Sequence, residues 1–334
     1  MTGQTRKLTG KPPWPIVLLA GAEKTGKTWA AVKASTSDLI GNTLWFPMGE
    51  NDPDEYGLIP GFDSARFDLV EHDGTYRGLR DELAHHLRAE RAAKGGGKPT
   101  LWVLDSGTRL WDLLSNMAQL EMWARLAKKA QQANRPVPDI EQKPSVDLWN
   151  TAGDRWGHIF DALREHNGPV IITARMELKT VMSPSGEPTK DKAQKILAQK
   201  SLPFDVDAIV EMPALGETYL SGVRSVKLAS LEPRVVFKDF TVDLLWRRLG
   251  LADAPVGQRT HSTIDPADKP AAEADVARVE LGALCEERGW RKEDVAALWF
   301  TQADSKLSDC ANAAAIRAFA DELKTNGLPG EKAA

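Results

Sequence analysis

The stretch Gly21–Thr28 constrains the fold of this 334-residue chain more than any other segment. It reads Gly-Ala-Glu-Lys-Thr-Gly-Lys-Thr and fits the phosphate-loop pattern G-x-x-x-x-G-K-[ST] at every fixed position. The apolar run Ile16–Ala20 precedes it and is typical of a buried parallel strand, and the run Trp29–Ala34 can continue as a helix. Because backbone N–H groups converge where a strand, a glycine-bounded turn and a helix N-terminus meet, this arrangement predicts an anion site.

The pattern predicts ATP and Mg²⁺ as ligands. Lys27 would reach the β- and γ-phosphates, and the Thr28 hydroxyl would ligate the metal. Gly21 and Gly26 would let the backbone approach the phosphates without a Cβ in the way. The residues expected to contact the nucleotide are Gly21, Ala22, Glu23, Lys24, Thr25, Gly26, Lys27, Thr28 and Trp29.

Apolar runs alternate with helical stretches along most of the chain. This alternation predicts an α/β core with a mainly parallel sheet and helices on both faces, since strands buried on both sides are apolar throughout. The expected organisation is a flexible N-terminal arm over 1–14, the core over 15–250, a linker over 251–275 and a small acidic helical module over 276–327.

Charge and composition narrow the range of functions. The net charge of −4 gives no global sign of nucleic-acid affinity, so any such affinity must come from a local patch. From Asp265 to the end there are 14 Asp and Glu against 9 Lys and Arg, a net of −5, which leaves about +1 for the rest. The polar N-terminus, the lack of a long apolar stretch and the two cysteines near the C-terminus favour a cytoplasmic protein without a membrane span.

The strand Leu101–Asp105 ends in a carboxylate and is the expected second half of the nucleotide site. A carboxylate at the carboxyl end of an apolar strand beside the phosphate loop can hold Mg²⁺ through a water. The alternative is an aspartate that caps the following helix.

The residue after Asp105 is Ser106 rather than a glutamate, so the base that activates water must come from elsewhere. Glu50 is the first candidate, because it follows the strand Thr43–Pro47 and would lie near the γ-phosphate. A solvated turn glutamate is the alternative, and the rival carboxylates in this turn are Asp52, Asp54 and Glu55.

The order of these motifs resembles that of the RecA-like recombinase ATPases. The resemblance rests on Gly21–Thr28, the strand that ends near Glu50, and the segments Val103–Ser106 and Ile171–Met176. It implies a RecA-like fold, ATP hydrolysis with Glu50 as catalytic base, and a γ-phosphate sensor at Thr173, where the family often has Gln or His. In size and layout the chain looks most like the short RecA-like ATP-binding proteins of bacteriophages, often filed as AAA-type ATPases and associated with recombination and single-strand annealing.

In this family the sensor position leads into a mobile DNA-binding loop. Here the residues from Arg175 to Lys200 include six basic and three acidic side chains together with Gly and Pro, which is compatible with a loop that follows a phosphate backbone. A solvated surface segment is the alternative. The basic residues expected to contact DNA are Arg175, Lys179, Lys190, Lys192 and Lys195.

The expected function is therefore an ATPase that acts on DNA, with single-stranded DNA as the partner, in phage recombination, repair or replication. The acidic module would bind a recombination or replication protein, and a homo-oligomer is an open option. Two other functions also remain open. A phosphate-loop kinase for small molecules would need an arginine-rich lid, and a nucleotide-dependent adaptor would bind ATP with little hydrolysis.

Overall fold

The chain forms two structural units, Met1–Thr260 and His261–Ala334, each with its own hydrophobic core. The computed structural model describes residues 7–50, 53–58, 67–93, 97–183, 185–228, 234–252, 256–257, 259, 268–303, 305–310 and 312–328.

The first unit alternates strands and helices as its apolar runs predict. Its strands are β1 (Ile16–Gly21), β2 (Asn42–Pro47), β3 (Asp68–Leu69), β4 (Thr100–Asp105), β5 (Val170–Met182), β6 (Pro188–Ile196), β7 (Ala208–Ala214), β8 (Glu217–Val223) and β9 (Val235–Val236). Its helices are α1 (Lys27–Ser35), α2 (Tyr76–Ala92), α3 (Gly107–Gln132), α4 (Val146–Glu165), α5 (Leu202–Asp205) and α6 (Val242–Arg248).

One mixed sheet organises this unit, with the strand order β3-β2-β4-β5-β1-β7-β8-β9. The strands from β3 to β7 in that order pair in parallel, whereas β8 and β9 add antiparallel at one edge. The strand β5 lies between β1 and β4, so Thr173 stands between the phosphate loop and Asp105. The sheet therefore brings the carboxyl ends of these six parallel strands to one edge.

The two faces of the sheet support separate cores, which explains why its strands are apolar at successive positions. In β1, Ile16 and Leu18 pack against helices α2, α3 and α4, while Val17 and Leu19 face the side covered by α1 and α6. Side chains alternate between faces along a strand, so a strand covered on both sides needs an apolar residue at every position.

The segment predicted as a mobile DNA-binding loop is instead a β-hairpin. The strand β5 continues beyond the parallel sheet and pairs antiparallel with β6, from Met176 opposite Ile196 to Thr180 opposite Lys192. An irregularity follows Thr180. Most residues of β6 are exposed, so the hairpin projects from the sheet without a core of its own.

The predicted N-terminal arm and linker both differ from the structure at their ends. Trp14 is buried and packs edge-on against Trp246, with ring centroids 5.7 Å apart, and Gly257 N donates to Pro12 O at 3.0 Å. An indole that fills the core fixes the end of the arm. The rest of the predicted arm, residues 1–6, and parts of the linker lie outside the described residues.

The second unit contains the helices α7 (Asp268–Arg288), α8 (Lys292–Ala303) and α9 (Ala313–Asn326). Helix α7 begins within the stretch predicted as linker, since Ala271, Ala272 and Ala274 are strong helix formers and a proline is tolerated in a first turn. The core of this unit includes Trp299 and Phe319, whose rings meet edge to face at 5.2 Å.

The sheet and its two cores confirm the predicted α/β class, with a mainly parallel sheet, helices on both faces and a helical C-terminal module. Among the helices that the structure describes, none has the length and apolar character needed to cross a bilayer.

Candidate active site

The phosphate loop joins β1 to α1, and its shape depends on glycine at two positions. A Cβ on Gly21 would lie 2.6 Å from both Met212 O and Thr25 Oγ1. Contacts this short are steric clashes, so any side chain at this position would force its neighbours to move. Gly26 has φ +93° at the N-cap of α1, a conformation that L side chains rarely adopt. The first N–H groups of a helix have no acceptor within that helix, so this turn can present them to an anion.

The Lys27 ammonium lies over the phosphate loop. Its Nζ donates to Gly21 O at 3.1 Å and to Ala22 O at 2.6 Å. Burial lowers the pKa of Lys27, and the nearby carboxylates Asp105 and Glu50 partly oppose that shift. The structure therefore places the predicted phosphate-binding cation against the loop, where the two predicted carboxylates influence its pKa.

Asp105 is almost fully enclosed at the end of β4, with 4% of its surface exposed. Burial raises its pKa from the ordinary 3.8 to about 6, and the hydroxyl of Thr173, which donates to Asp105 Oδ1, opposes the rise. Thr173 lies on the adjacent strand β5 and is itself buried. In this structure Thr173 thus orients the carboxylate, while its predicted role as a γ-phosphate sensor stays a prediction.

The donor set around the loop fits Mg²⁺ held mainly by phosphate. Within the described part of the chain, no group of three or more His, Cys, Asp or Glu side chains could enclose a metal. Magnesium in phosphate-loop proteins needs only a loop hydroxyl and one strand-end carboxylate besides phosphate oxygens and water. Thr28, which is half-buried in the first turn of α1, and Asp105 supply those two groups.

Glu50 lies beyond the end of β2, where Gly49 turns the chain with φ +71°. Its Oε1 accepts from Ser106 Oγ at 2.8 Å, and Ser106 is joined to Asp105 by a cis peptide bond. The guanidinium of Arg175 donates to Oε1 through Nε at 3.1 Å and Nη2 at 2.9 Å, and to Oε2 through Nη2 at 2.7 Å.

These contacts keep Glu50 ionised. Burial raises the pKa of this carboxyl, but the hydrogen bonds from Arg175 and Ser106 outweigh burial, so the pKa lies below its ordinary value. The rival carboxylates Asp54 and Glu55 are exposed on the turn Asp54–Gly57, and Asp52 lies outside the described residues.

Two partners of the site escaped the sequence prediction. Arg175 was predicted to contact DNA, yet its side chain binds Glu50, and no local pattern links residues 125 positions apart. Tyr56 was not singled out, although its ring lies 5.8 Å from that of Trp29, which is 41% exposed. Two adjacent aromatic faces beside the phosphate loop form a surface on which a nucleobase can stack.

The remaining basic residues of the predicted DNA segment do not share one face of the hairpin. Glu177 is opposite Lys195, and Lys179 pairs with Glu177 at 2.5 Å, so these side chains lie on the same face. Lys192, opposite Thr180, lies on the other face because side chains alternate along a strand. Lys190 is exposed in the irregular part of the hairpin.

This chain matches solved structures of other proteins, among them a recombinase. The crystal structure of the RadB recombinase matches with 16% sequence identity and a TM-score of 0.37, over 64% of this chain and 84% of that chain. No family model and no curated protein matches the sequence.

Proposed function

We propose that this protein is a Mg²⁺-dependent ATPase that acts on DNA. The observation that carries the proposal is the convergence of the phosphate loop, Asp105 and Glu50 at the carboxyl ends of adjacent strands. A strand-end carboxylate beside a phosphate loop and a second carboxylate for water activation are the parts that phosphoryl transfer to water requires.

Each residue of the site has a role that its contacts support. The loop amides and Lys27 would hold the phosphates, and Thr28 and Asp105 would hold the metal, with Thr173 orienting Asp105. Mg²⁺, when bound, would neutralise negative charge on the phosphate oxygens. The exposed ring of Trp29, beside the half-buried ring of Tyr56, would take the adenine base.

Glu50 would act as the base. It would orient a water molecule and accept its proton while the water oxygen bonds to the γ-phosphorus and the bond to the β–γ bridging oxygen breaks. The products are ADP and inorganic phosphate. The ionised state of Glu50 supports this role, since only the carboxylate can accept a proton.

Single-stranded DNA is the proposed partner of the β5–β6 hairpin, as the resemblance to recombinase ATPases implies, and recombination, repair or replication is the proposed setting. The hairpin segment from Arg175 to Lys200 carries six basic and three acidic residues on a surface without a core of its own. Exposed cations of this kind bind a phosphate backbone in a salt-dependent manner. The acidic second unit is proposed to bind a partner protein, and the ATPase to form homo-oligomers.

Steady-state release of phosphate from ATP with Mg²⁺ tests the proposal. Lys27→Ala and Glu50→Gln should each reduce turnover by about 100-fold or more, because a positioned base alone contributes at least that factor. Arg91→Ala is the matched control: Arg91 makes a 2.6 Å ion pair with Glu165 far from the loop and should leave turnover unchanged. Full activity in Lys27→Ala would refute the ATPase proposal.

Addition of a thymidine oligonucleotide at low salt tests the DNA partner in the same assay. Turnover should rise, and the rise should decrease with salt and with alanine substitution of Lys179, Lys190, Lys192 and Lys195 together. Turnover that is indifferent to the oligonucleotide at every salt concentration would refute the DNA proposal and leave the ATPase proposal standing.

A further inference from the structure

Arg175 occupies the point at which β5 leaves the parallel sheet and enters the hairpin. In the parallel register it is opposite Gly21, the first residue of the phosphate loop. Its backbone N–H donates to Thr108 Oγ1 at 2.9 Å, and its carbonyl accepts from Leu197 N, just after β6, at 2.8 Å. Both strands of the hairpin are therefore anchored at the residue whose side chain binds Glu50.

The side-chain contact is a bidentate ion pair, with both carboxylate oxygens of Glu50 engaged by one guanidinium. The planar fork of arginine makes such a pair directional, so the arginine fixes the carboxylate in one orientation. With Ser106, the Oε1 atom accepts three hydrogen bonds, whereas Oε2 accepts one from this guanidinium. A carboxylate held this way is a weakened base, because protonation must give up those bonds.

We propose that Arg175 is a positioning residue that clamps Glu50, and that DNA bound to the β5–β6 hairpin releases the clamp. The inference rests on the proposed function and deepens it by naming how DNA would control hydrolysis. A displacement of the hairpin root would move the Arg175 backbone, and the fork geometry would be lost. Glu50 would then be free to orient water and accept its proton.

Other charged groups surround Glu50 and stay in place when Arg175 is removed. Lys27 faces it from α1 and Arg109 from α3, while Asp105 faces it from β4. The two remaining cations still favour the carboxylate form. Loss of Arg175 therefore strengthens the base without leaving an isolated buried charge.

The test compares Arg175→Ala with the wild type and with Arg91→Ala, in steady-state hydrolysis with and without a thymidine oligonucleotide. The control is closely matched, since Arg91 lies 2.6 Å from Glu165 and Arg175 lies 2.7 Å from Glu50. Without DNA, Arg175→Ala should raise kcat about three- to tenfold with little change in KM, as expected for a stronger base. The oligonucleotide should add no further stimulation, and Arg91→Ala should behave as the wild type.

The pH profile separates a clamp from a merely structural residue. Removal of Arg175 raises the pKa of Glu50, so the acid limb of kcat should move to higher pH in Arg175→Ala and stay in place in Arg91→Ala. Arg175→Lys keeps the charge but cannot form the bidentate contact. It should therefore give a smaller rise in kcat and a smaller move of the acid limb. It provides the readout if the alanine variant fails to fold.

The outcomes distinguish the clamp from the proposed function. Equal or lower kcat in a folded Arg175→Ala protein, beside an active wild type, would overturn the clamp alone. An inactive wild type with an active Arg175→Ala variant would support it strongly. If both proteins are inactive, the clamp and the proposed ATPase function are both overturned.

Discussion

Two polar clusters lie at opposite ends of the same sheet, and they differ in burial and in hydrogen bonding. The site cluster, at the carboxyl ends of the strands, consists of Asp105, Thr173, Glu50 and Arg175. The second, here called the amino-end cluster, consists of Glu90, His166 and Arg259 with the backbone oxygens they bind.

The amino-end cluster is largely closed, although the buried Nε of Arg259 has no hydrogen-bond partner among the described residues and burial lowers the pKa of this guanidinium to about 10. His166 is 1% exposed and stacks on Trp102 at 4.1 Å, with Nδ1 2.7 Å from Glu90 Oε2 and Nε2 2.8 Å from Thr100 O. Both ring nitrogens therefore have a hydrogen-bond partner within the protein. The guanidinium of Arg259 donates to four backbone carbonyls, those of Leu163, His166, Trp14 and Gly168.

The site cluster is open by comparison. The side chains of Arg175 and Glu50 are 49% and 25% exposed, and the enclosed Asp105 carries a raised pKa that marks an unfavourable charge. The difference indicates that the amino-end cluster stabilises the fold, whereas the buried charge of Asp105 in the site cluster destabilises it. Substitutions in the amino-end cluster should therefore destabilise the fold, whereas removal of the buried charge in the site cluster should stabilise it.

The largest effect is expected for Arg259→Met in the amino-end cluster. Removal of the guanidinium leaves four carbonyls without this donor, and a buried unsatisfied group costs about 1–3 kcal/mol, so the free energy of unfolding should fall by about 3–5 kcal/mol. Urea denaturation measures it. Arg247→Met, which removes an exposed ion pair with Asp243, is the control and should cost less than about 1 kcal/mol. A similar loss in both variants would contradict the closed cluster.

Asp105→Asn is expected to raise the free energy of unfolding of the metal-free protein. The folded-state pKa of about 6 lies above the ordinary 3.8, so the charged form destabilises the fold above pH 6. Two pKa units correspond to about 3 kcal/mol, by which the variant should be the more stable at pH 8. The gain should shrink between pH 6 and 4 and vanish below, where the aspartate is protonated in both states.

Asp147, a carboxylate whose pKa is lowered rather than raised, provides the control for this prediction. Asp147 is exposed, and hydrogen bonds from Ser145 and Arg125 lower its pKa to about 2. Asp147→Asn should therefore give no gain in stability at pH 8. If Asp105→Asn destabilises the metal-free protein at pH 8, Asp105 belongs with the structural groups and the contrast between the clusters fails.

Sequence reasoning predicted the fold class correctly because the features that determine it are local, and the same kind of local pattern gave the predicted site residues. The phosphate loop is a contiguous pattern, and the strands β1, β4 and β5 are apolar at successive positions because both their faces are buried. Asp105 was predicted from its position as the last residue of an apolar strand, and Glu50 from its position shortly after one. These features need no knowledge of which strands pair.

The features that sequence reasoning missed depend on contacts between segments far apart in the chain. The pair of Glu50 and Arg175 depends on the placement of β4 between β2 and β5, which no local pattern contains. The hairpin was missed because β6 is exposed on both faces, so it lacks the alternation of apolar and polar residues that marks a half-buried strand. Trp14 was assigned to a flexible arm because its partner Trp246 lies far along the chain.

The smallest effect is expected for Glu90→Gln in the amino-end cluster. Burial raises the pKa of Glu90, but hydrogen bonds from His166 and the Asn167 N–H outweigh it, so the folded-state pKa is lowered. A lowered carboxyl pKa stabilises the fold above the unfolded-state value and loses that effect as the pH falls through the folded-state value. The variant should lose about 1 kcal/mol at pH 7, since Glu90 is 35% exposed and solvent screens the pair, and the loss should be smaller at pH 3.

Glu165→Gln is the matched control for this last variant, because the partner of Glu165, Arg91, is 66% exposed and water replaces the contact. It should change stability by only a few tenths of a kcal/mol at either pH. A loss in Glu90→Gln that persists unchanged at pH 3 would show that Glu90 acts through its shape rather than its charge. The amino-end cluster would then differ from the site cluster in packing alone, and the contrast in charge between the two ends of the sheet would not hold.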